Sequence, residues 1–400
     1  MQKTIFGLWF QPKNTLRFIV ALVACACLFA CSHEEEKQLP SAPIKLSKTS
    51  FASLDGWQKD DFAQVISVFY NNCEKILQNQ NIDIANSSIK LKTKDYQKVC
   101  RKFASQHIDS SEKMKKFLQD EFTPYIVASG NNPIGKFTSY YEATINASLE
   151  KGGKYKYPVY GRPNDLVEVN LRDFGSDLPN TRLVGHVVGG KFVPYLKRAE
   201  IENKGVDAPV IMWADDPVDI HFMQIQGSAI AKMDDGSELR VGYADNNGHK
   251  FRGIGSILLE KKVLKPGEMS MENIRKWLRA HPKEAEKLMQ QNERFIFQRI
   301  SDADGPLGAM GIPLTAGRSM AVDNSLIPLG AVLWLDTVDP DKKPLRKIVF
   351  AQDIGAAIKG AVRGDYFWGH GDEALYYAGR MNSAGRYYIL LPKNSKVQVD

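Results

Sequence analysis

Near residue 136 the chain changes its periodicity, and that change decides what kind of fold is open to it. Before it, apolar residues recur at helical spacing: Phe62, Val65, Ile66, Phe69, Cys73, Ile76 and Leu77 share one face, as do Tyr96, Val99, Cys100 and Phe103, and then Met114, Phe117 and Leu118. After it, short β-branched and aromatic runs alternate with Gly, Pro, Asn and Asp turns: FTSYYEATI, DLVEVNL, TRLVGHVV, DIHFMQIQ and LRVGYAD. A helical interlude is expected at 270–292, with Ser270 as a cap and Pro282 in the first turn of a second helix. Strand-like runs then resume as RFIFQRI, GRSMAVD, AVLWLDTV, RKIVFAQD and GRYYILL. No internal repeat interrupts the pattern. The expected fold class is mainly β, a barrel or sandwich, with helices attached at the start and in the middle.

The N-terminus reads as an export signal. Lys3, Lys13 and Arg17 precede the apolar run Phe18 to Ala30, which is too short to span a bilayer comfortably. It ends in Leu28-Phe29-Ala30-Cys31, a lipobox, so Cys31 is expected to be the lipidated first residue of the mature protein. Leu22-Val23-Ala24-Cys25 fits the same pattern but leaves a cramped apolar core. Ser32, rather than an Asp, follows Cys31, which favours the outer membrane with the protein facing the periplasm. Residues 1–30 are thus the signal, and 31–50, polar and proline-containing, a tether. The formal charge of +7 loses three positive charges with the signal and becomes +4. That mild, dispersed charge suits an anionic polymer and not a nucleic acid. Cys73 and Cys100 remain after processing, an even pair in an oxidising compartment, and are expected to be bridged.

The chemistry-bearing residues exclude several classes. The seven His show no HExxH or paired spacing, the mature chain has no CxxC, and no GxSxG elbow appears. No metal and no cofactor is expected. The string Gly369-His370-Gly371-Asp372-Glu373-Ala374 matches a loose dinucleotide fingerprint, but no βαβ unit surrounds it. What remains is carboxylates, aromatics and amides, the materials of a carbohydrate site. In FAQDIGAAIKGAVRGDYFWGHG (350–371), Asp365 precedes Tyr366-Phe367-Trp368, whose rings are expected to desolvate it and hold its proton near neutrality. A Gly-Asp turn is the bland alternative for Asp365, and a strand-end turn explains Asp353 equally well. Gln226 and Ser228 in IQGSAI have the polarity to bind sugars, or to form a polar β-turn. Tyr140 and Tyr141 fall on opposite faces of a strand, so at most one faces a ligand. Asp323 ends a short strand, usually a structural position.

Together these segments resemble the membrane-bound lytic murein transglycosylase A family along almost the whole mature length. The blocks that carry the resemblance include FTSYYEA, YPVYGRPNDLV, IMWADDPVDIHFMQIQGS, VGYADNNGHKFRGIG, GPLGAMGIPLTAGRSMAVDNSLIPLG and AQDIGAAIKGAVRGDYFWGHG, in order and at matching spacing. The resemblance implies a double-psi β-barrel catalytic domain assembled from 51–143 and 263–400. It implies a second, smaller β-barrel inserted at 144–262, with a groove between the two. The family's catalytic Asp falls on Asp365 and its supporting Asp on Asp353; Thr138, Gln226 and Ser228 line the groove. Tyr141 and Asp323, from the same blocks, join them as expected substrate contacts. Two departures, Ser139 with Ala143 and Ala356, replace no functional side chain, although Ala356 requires a backbone without positive φ.

The implied reaction is non-hydrolytic cleavage of the β-1,4 bond between N-acetylmuramic acid and N-acetylglucosamine, leaving 1,6-anhydromuramoyl ends. Partners implied are peptidoglycan glycan strands, outer-membrane lipid through Cys31 and other cell-wall proteins. Two rivals stand beside this reading. One is a non-catalytic peptidoglycan-binding lipoprotein. The other is a conventional hydrolase, which needs a second carboxylate, with Asp323 the candidate.

Overall fold

Early in the described residues, after one short strand, come amphipathic helices whose apolar faces cover a sheet. The computed structural model describes residues 43–78, 89–90, 92–265, 268–393, 395 and 398–399, so the expected signal, Cys31 and the tether to residue 42 lie outside the described residues. Helix α1 (Ala63–Gln78) buries Val65, Val68, Phe69, Cys73 and Ile76. Helix α2 (Thr93–Ser105) buries Tyr96, Val99, Cys100 and Phe103, and α3 (Ser111–Glu121) buries Met114, Phe117 and Leu118. Ser110 caps α3 by accepting from the Lys113 amide. A disulfide joins Cys73 to Cys100, 27 positions apart, and ties α1 to α2.

Among the described residues, eighteen strands lie before, between and after these helices. The N-terminal part supplies β1 (Ile44–Lys48), β2 (Ile89–Lys90), β3 (Phe122–Ser129) and the long β4 (Gly135–Ser148). The middle supplies β5 (Tyr157–Tyr160), β6 (Val167–Asn170), β7 (Arg182–Val188), β8 (Lys191–Pro194), β9 (Val210–Ala214), β10 (Ser228–Met233), β11 (Glu238–Asn246) and β12 (Ile296–Ser301). The C-terminal part supplies β13 (Ser319–Val322), β14 (Val332–Val338), β15 (Pro344–Ile354), β16 (Arg363–His370), β17 (Asn382–Pro392) and β18 (Gln398–Val399). The fold is β-dominated, with helices attached.

Two features of the pairing position the site. First, β17 pairs β14, β14 pairs β15, β15 pairs β13, β13 pairs β16 and β16 pairs β4, whose first residues pair back to β17. Second, β4 changes partners along its length. Its first half runs beside β16 and β17, whereas Ala143–Ala147 run beside β10. The cores divide at the same place. The largest draws on residues up to Phe137 and again on Met310 to Leu391, and a second one begins with Tyr141 and Ala143. Phe69 of α1 meets the rings of Phe103, Phe117, Phe122 and Phe350 edge-on at 4.8–6.2 Å, so the helices and the C-terminal strands share one apolar interior.

Several segments differ from the sequence expectation. DIHFMQ, expected as a strand, lies in helix Pro217–Gln226, with Asp216 as N-cap, Pro217 in the first turn and left-handed Gly227 closing the C-terminus. Every residue from Val218 to Gln224 is buried, so no polar face marks the helical period. IQGS is therefore a helix end running into β10, not a β-turn. Short helices at Arg198–Lys204, Ile254–Glu260 and Gly371–Ala378 were likewise not anticipated. The interlude has its two helices, Met271–Ala280, capped by Ser270, and Pro282–Met289. Asp365 sits inside a strand rather than a turn, and Ala356 is not at positive φ.

Candidate active site

Register brings the carboxylates together. On β16, Asp365 lies opposite Thr138 of β4 on one side and Ala321 of β13 on the other. Ala321 in turn lies opposite Asp353 of β15, just past a bulge at Gln352. Thr138, Asp365, Ala321 and Asp353 thus form a row across four strands. Two strand spacings separate the aspartate Cα atoms, about 10 Å. The residue between them is small, which leaves the space above it to longer neighbours.

Those neighbours are apolar. Tyr140, two positions along β4 from Thr138, stacks obliquely on Phe367 with ring centres 5.1 Å apart. Both rings pack with Leu314, Ala321 and Ile358 in a small cluster between the carboxylates. The Tyr140 hydroxyl crosses to Asp353 and donates to Oδ2 at 2.9 Å, and the Ala309 amide donates to Oδ1 at 3.0 Å. Of the three aromatics after Asp365, strand alternation puts only Phe367 on its face. Tyr366 turns into the large core and donates to the Gly317 carbonyl, while Trp368 stacks on Tyr377 at 4.5 Å.

Burial sets the electrostatics. It raises the Asp365 carboxyl above its ordinary value; hydrogen bonding from Thr138 and the charge of Arg363 oppose the rise. Burial also lifts Asp353, to about 6, against donation from the Ile354 amide, the Tyr140 hydroxyl and the Ala309 amide; the negative charge of Asp365 adds to the rise. Burial beside Asp353 pushes the Tyr140 hydroxyl well above the usual tyrosine range. Asp365 therefore resides where a proton is retained more readily than in water, and Asp353 is the better-tethered of the two.

The other expected residues divide. Gln226, at the end of its helix, accepts the Tyr141 amide through Oε1 at 3.1 Å, which turns its Nε2 donors away from β4. Ser228 opens β10 opposite Gly242 and is buried. Tyr141 is only 3% exposed, its ring in the second core and its hydroxyl without a hydrogen-bond partner among the described residues. Asp323 is 4% exposed and fully engaged: Ser325 Oγ donates at 2.7 Å, the Gly360 amide at 3.0 Å, and Lys359 lies at 3.4 Å. Neither Tyr141 nor Asp323 reaches Asp365 through a hydrogen bond.

Sequence reasoning passed over Tyr140's bond to Asp353 and gave Arg363 no role. Both obey the two-residue strand period, Tyr140 from Thr138 and Arg363 from Asp365, and that period was the available signal. Cavities of about 250 and 290 Å³ lie elsewhere, one beside Asp336, Arg346 and Arg386, the other beside Glu150, Asp234 and Asp235.

Comparisons with known proteins bear on the family and the fold. Residues 136–299 match the family model of the MltA specific insert domain, and 318–391 match the 3D domain. The chain is 32% identical over 265 residues to the membrane-bound lytic murein transglycosylase A of Escherichia coli K12, a stretch covering 64% of this chain and 65% of that protein. Among solved structures, a monoclinic crystal form of MltA from Neisseria gonorrhoeae is similar at 33% identity, with a TM-score of 0.76 over 90% of this chain and 98% of that one. A membrane-bound lytic murein transglycosylase from Agrobacterium tumefaciens is similar at 28% identity, with a TM-score of 0.75 over 87% and 98%.

Proposed function

The chain belongs to the membrane-bound lytic murein transglycosylase A family, and from that premise we propose that it cleaves the β-1,4 bond between N-acetylmuramic acid and N-acetylglucosamine without water. The observation that carries the proposal is the buried setting of Asp365, bonded by Thr138. Asp365 is a partly desolvated carboxyl with a raised proton affinity, and the nearby carboxylates of Asp353 and Asp323 are committed to protein donors.

A hydrolase must activate water or a nucleophile with a second carboxylate. An intramolecular attack needs only one. Asp365 protonates the leaving glycosidic oxygen as the bond to C1 breaks. The C6 hydroxyl of the muramic residue attacks C1, and its proton returns to Asp365, closing the 1,6-anhydro ring. The enzyme ends in its starting protonation state. The nucleophile is already tethered, which supplies the entropic advantage of an intramolecular step. Asp353 stabilises positive charge on the oxocarbenium-like state, while Gln226 presents amide donors to sugar oxygens. We assign Thr138 and Ser228 to the same groove. Tyr141 acts through its backbone, by holding Gln226. Asp323 shapes the loop carrying Gly360.

The strand circuit through β17, β14, β15, β13, β16 and β4 supports reading 51–143 with 263–400 as the double-psi β-barrel. The partner change along β4 supports the start of the inserted barrel proposed at 144–262, to which β12, later in the chain, also adds by pairing β11, with the groove along the face of Thr138 and Tyr140. Peptidoglycan strands are the substrate. The relatives named membrane-bound support membrane association, and Cys31 is the proposed lipid anchor to the outer membrane, facing the periplasm. The test is the mass of the ends released from purified sacculi: anhydro ends are lighter than hydrolysed ends by one water.

A further inference from the structure

Arg363 is the first residue of β16 and shares the face of Asp365. Its guanidinium is held through both terminal nitrogens. Nη1 donates to the Gly364 carbonyl at 2.5 Å and, more distantly, to the Lys136 carbonyl at 3.4 Å. Nη2 donates to Thr138 Oγ1 at 2.7 Å. Thr138 in turn donates to Asp365 Oδ1. Arginine is donor-only and stays charged at any working pH, so the direction of the Arg363–Thr138 bond is not open to reversal.

That fixed direction has a consequence for Asp365. A threonine hydroxyl has one hydrogen and two lone pairs. Arg363 fills one lone pair, and the hydrogen is directed at Asp365 Oδ1. Were Asp365 instead to donate from Oδ1, the Thr138 hydrogen would lose that acceptor, a costly loss for a half-buried group. Oδ1 is therefore kept as an acceptor in both charge states of the carboxyl.

We propose that Arg363 is a positioning residue for Asp365: by donating to Thr138 Oγ1 it orients the hydroxyl with its proton on Asp365 Oδ1, so that Oδ2 is the oxygen that carries and returns the acid proton. The inference rests on Asp365 being the acid and base of the reaction proposed above. It adds which oxygen does the work and what enforces the choice. It also balances the two half-reactions. The Thr138 bond favours the carboxylate, the form that must accept the C6 hydroxyl proton, and burial favours the protonated form needed first. The other titratable groups coupled to Asp365 are Asp353 on β15 and Tyr140 on β4; both are bonded to each other and neither bonds Thr138.

The experiment is a carboxyl ¹³C titration of Asp365 in the full mature protein, assigned by comparison with Asp365→Asn, together with the pH profile of kcat on sacculi. Arg363→Met and Thr138→Val each remove an interaction that favours the carboxylate, so each raises the Asp365 midpoint. The alkaline limb of kcat, where the acid form is lost, moves to higher pH with it. Thr138→Val is expected to slow turnover by roughly tenfold or more in the wild type, the scale of a hydrogen bond to a charged group. In the Arg363→Met background the same change costs clearly less, because the two residues act as one relay. A merely structural Arg363 would lower kcat at every pH with the midpoint unmoved, and that result overturns the inference. So does a Thr138→Val effect of equal size with and without Arg363. If Arg363→Met does not fold, Arg363→Lys decides: it keeps the charge but not the two-nitrogen grip, and a Thr138→Val cost as large in that background as in the wild type overturns the inference. Near-normal turnover by Asp365→Asn would instead sink the proposed function, a distinguishable outcome.

Discussion

Replacing Asp353 by Asn is expected to stabilise the protein at neutral pH while weakening its activity. Burial lifts this carboxyl to about 6 from an ordinary 3.8. Because the native pKa is the higher one, the native state holds a proton that the unfolded chain releases between those values. Stability therefore falls as pH rises from about 4 to 6, and the penalty is complete above 6. At 1.36 kcal/mol per pH unit, the interval from 3.8 to about 6 corresponds to at most about 3 kcal/mol. Asn cannot ionise and escapes this penalty. Its Oδ1 can still accept the Ala309 amide, whereas Nδ2 can only donate to the Tyr140 hydroxyl, which reverses that bond and offsets part of the gain. Urea unfolding of the wild type and Asp353→Asn at pH 4, 6 and 7.5 reads the effect, because titrating groups that do not interact with Asp353 cancel in the difference. The variant should be more stable by about 1–3 kcal/mol at pH 7.5, with the gap closing towards pH 4. Equal stability at all three values, or a less stable variant at pH 7.5, would refute the reasoning that burial dominates at Asp353.

Two further expectations concern the scaffold. The disulfide closes a 27-residue separation between two buried positions, so Cys73→Ala with Cys100→Ala should cost about 3–4 kcal/mol in urea unfolding under oxidising conditions; a loss under about 1 kcal/mol would contradict the loop-closure account. At Asp323, burial pushes the pKa up, but donation from Ser325 and Gly360 and the charge of Lys359 outweigh it and hold the carboxyl below its ordinary value. Its stabilisation is therefore present at neutral pH and lost as pH falls through the native pKa, and Asp323→Asn should lower the Tm at pH 7 and converge with the wild type in acid.

The parts of the fold visible in the sequence were those whose pattern is set locally. The faces of α1, α2 and α3 are half apolar and half solvated, so their period stands out, and Cys73 and Cys100 could be placed on packed faces. Helix Pro217–Gln226 was misread because burial on all sides removes its polar face, leaving an apolar run with β-like composition. Gly371–Ala378 was hidden by the glycines before it. Asp365 stands out in the sequence as a candidate through its motif, but its environment only partly: of the three aromatics after it, Phe367 alone shares its face, packed with Tyr140, Leu314 and Ile358 from elsewhere in the chain. The row of Thr138, Asp365, Ala321 and Asp353 depends on pairing among strands distant in sequence, and no local spacing encodes that register. Arg363 and Tyr140 were within reach of the strand period once Asp365 and Thr138 were chosen, since each sits two residues from its neighbour in the row.

The most direct measurement is digestion of purified sacculi by the wild type and by Asp365→Asn, with released ends resolved by mass and glycan binding measured on the same samples. Asn keeps the size of Asp365 and can still accept from Thr138, but it neither delivers nor takes a proton. The account predicts 1,6-anhydromuramoyl ends from the wild type and a loss of turnover in Asp365→Asn of about 10²–10⁴-fold or more, with binding retained. Reducing muramic ends from the wild type, or near-normal turnover by Asp365→Asn, would contradict it.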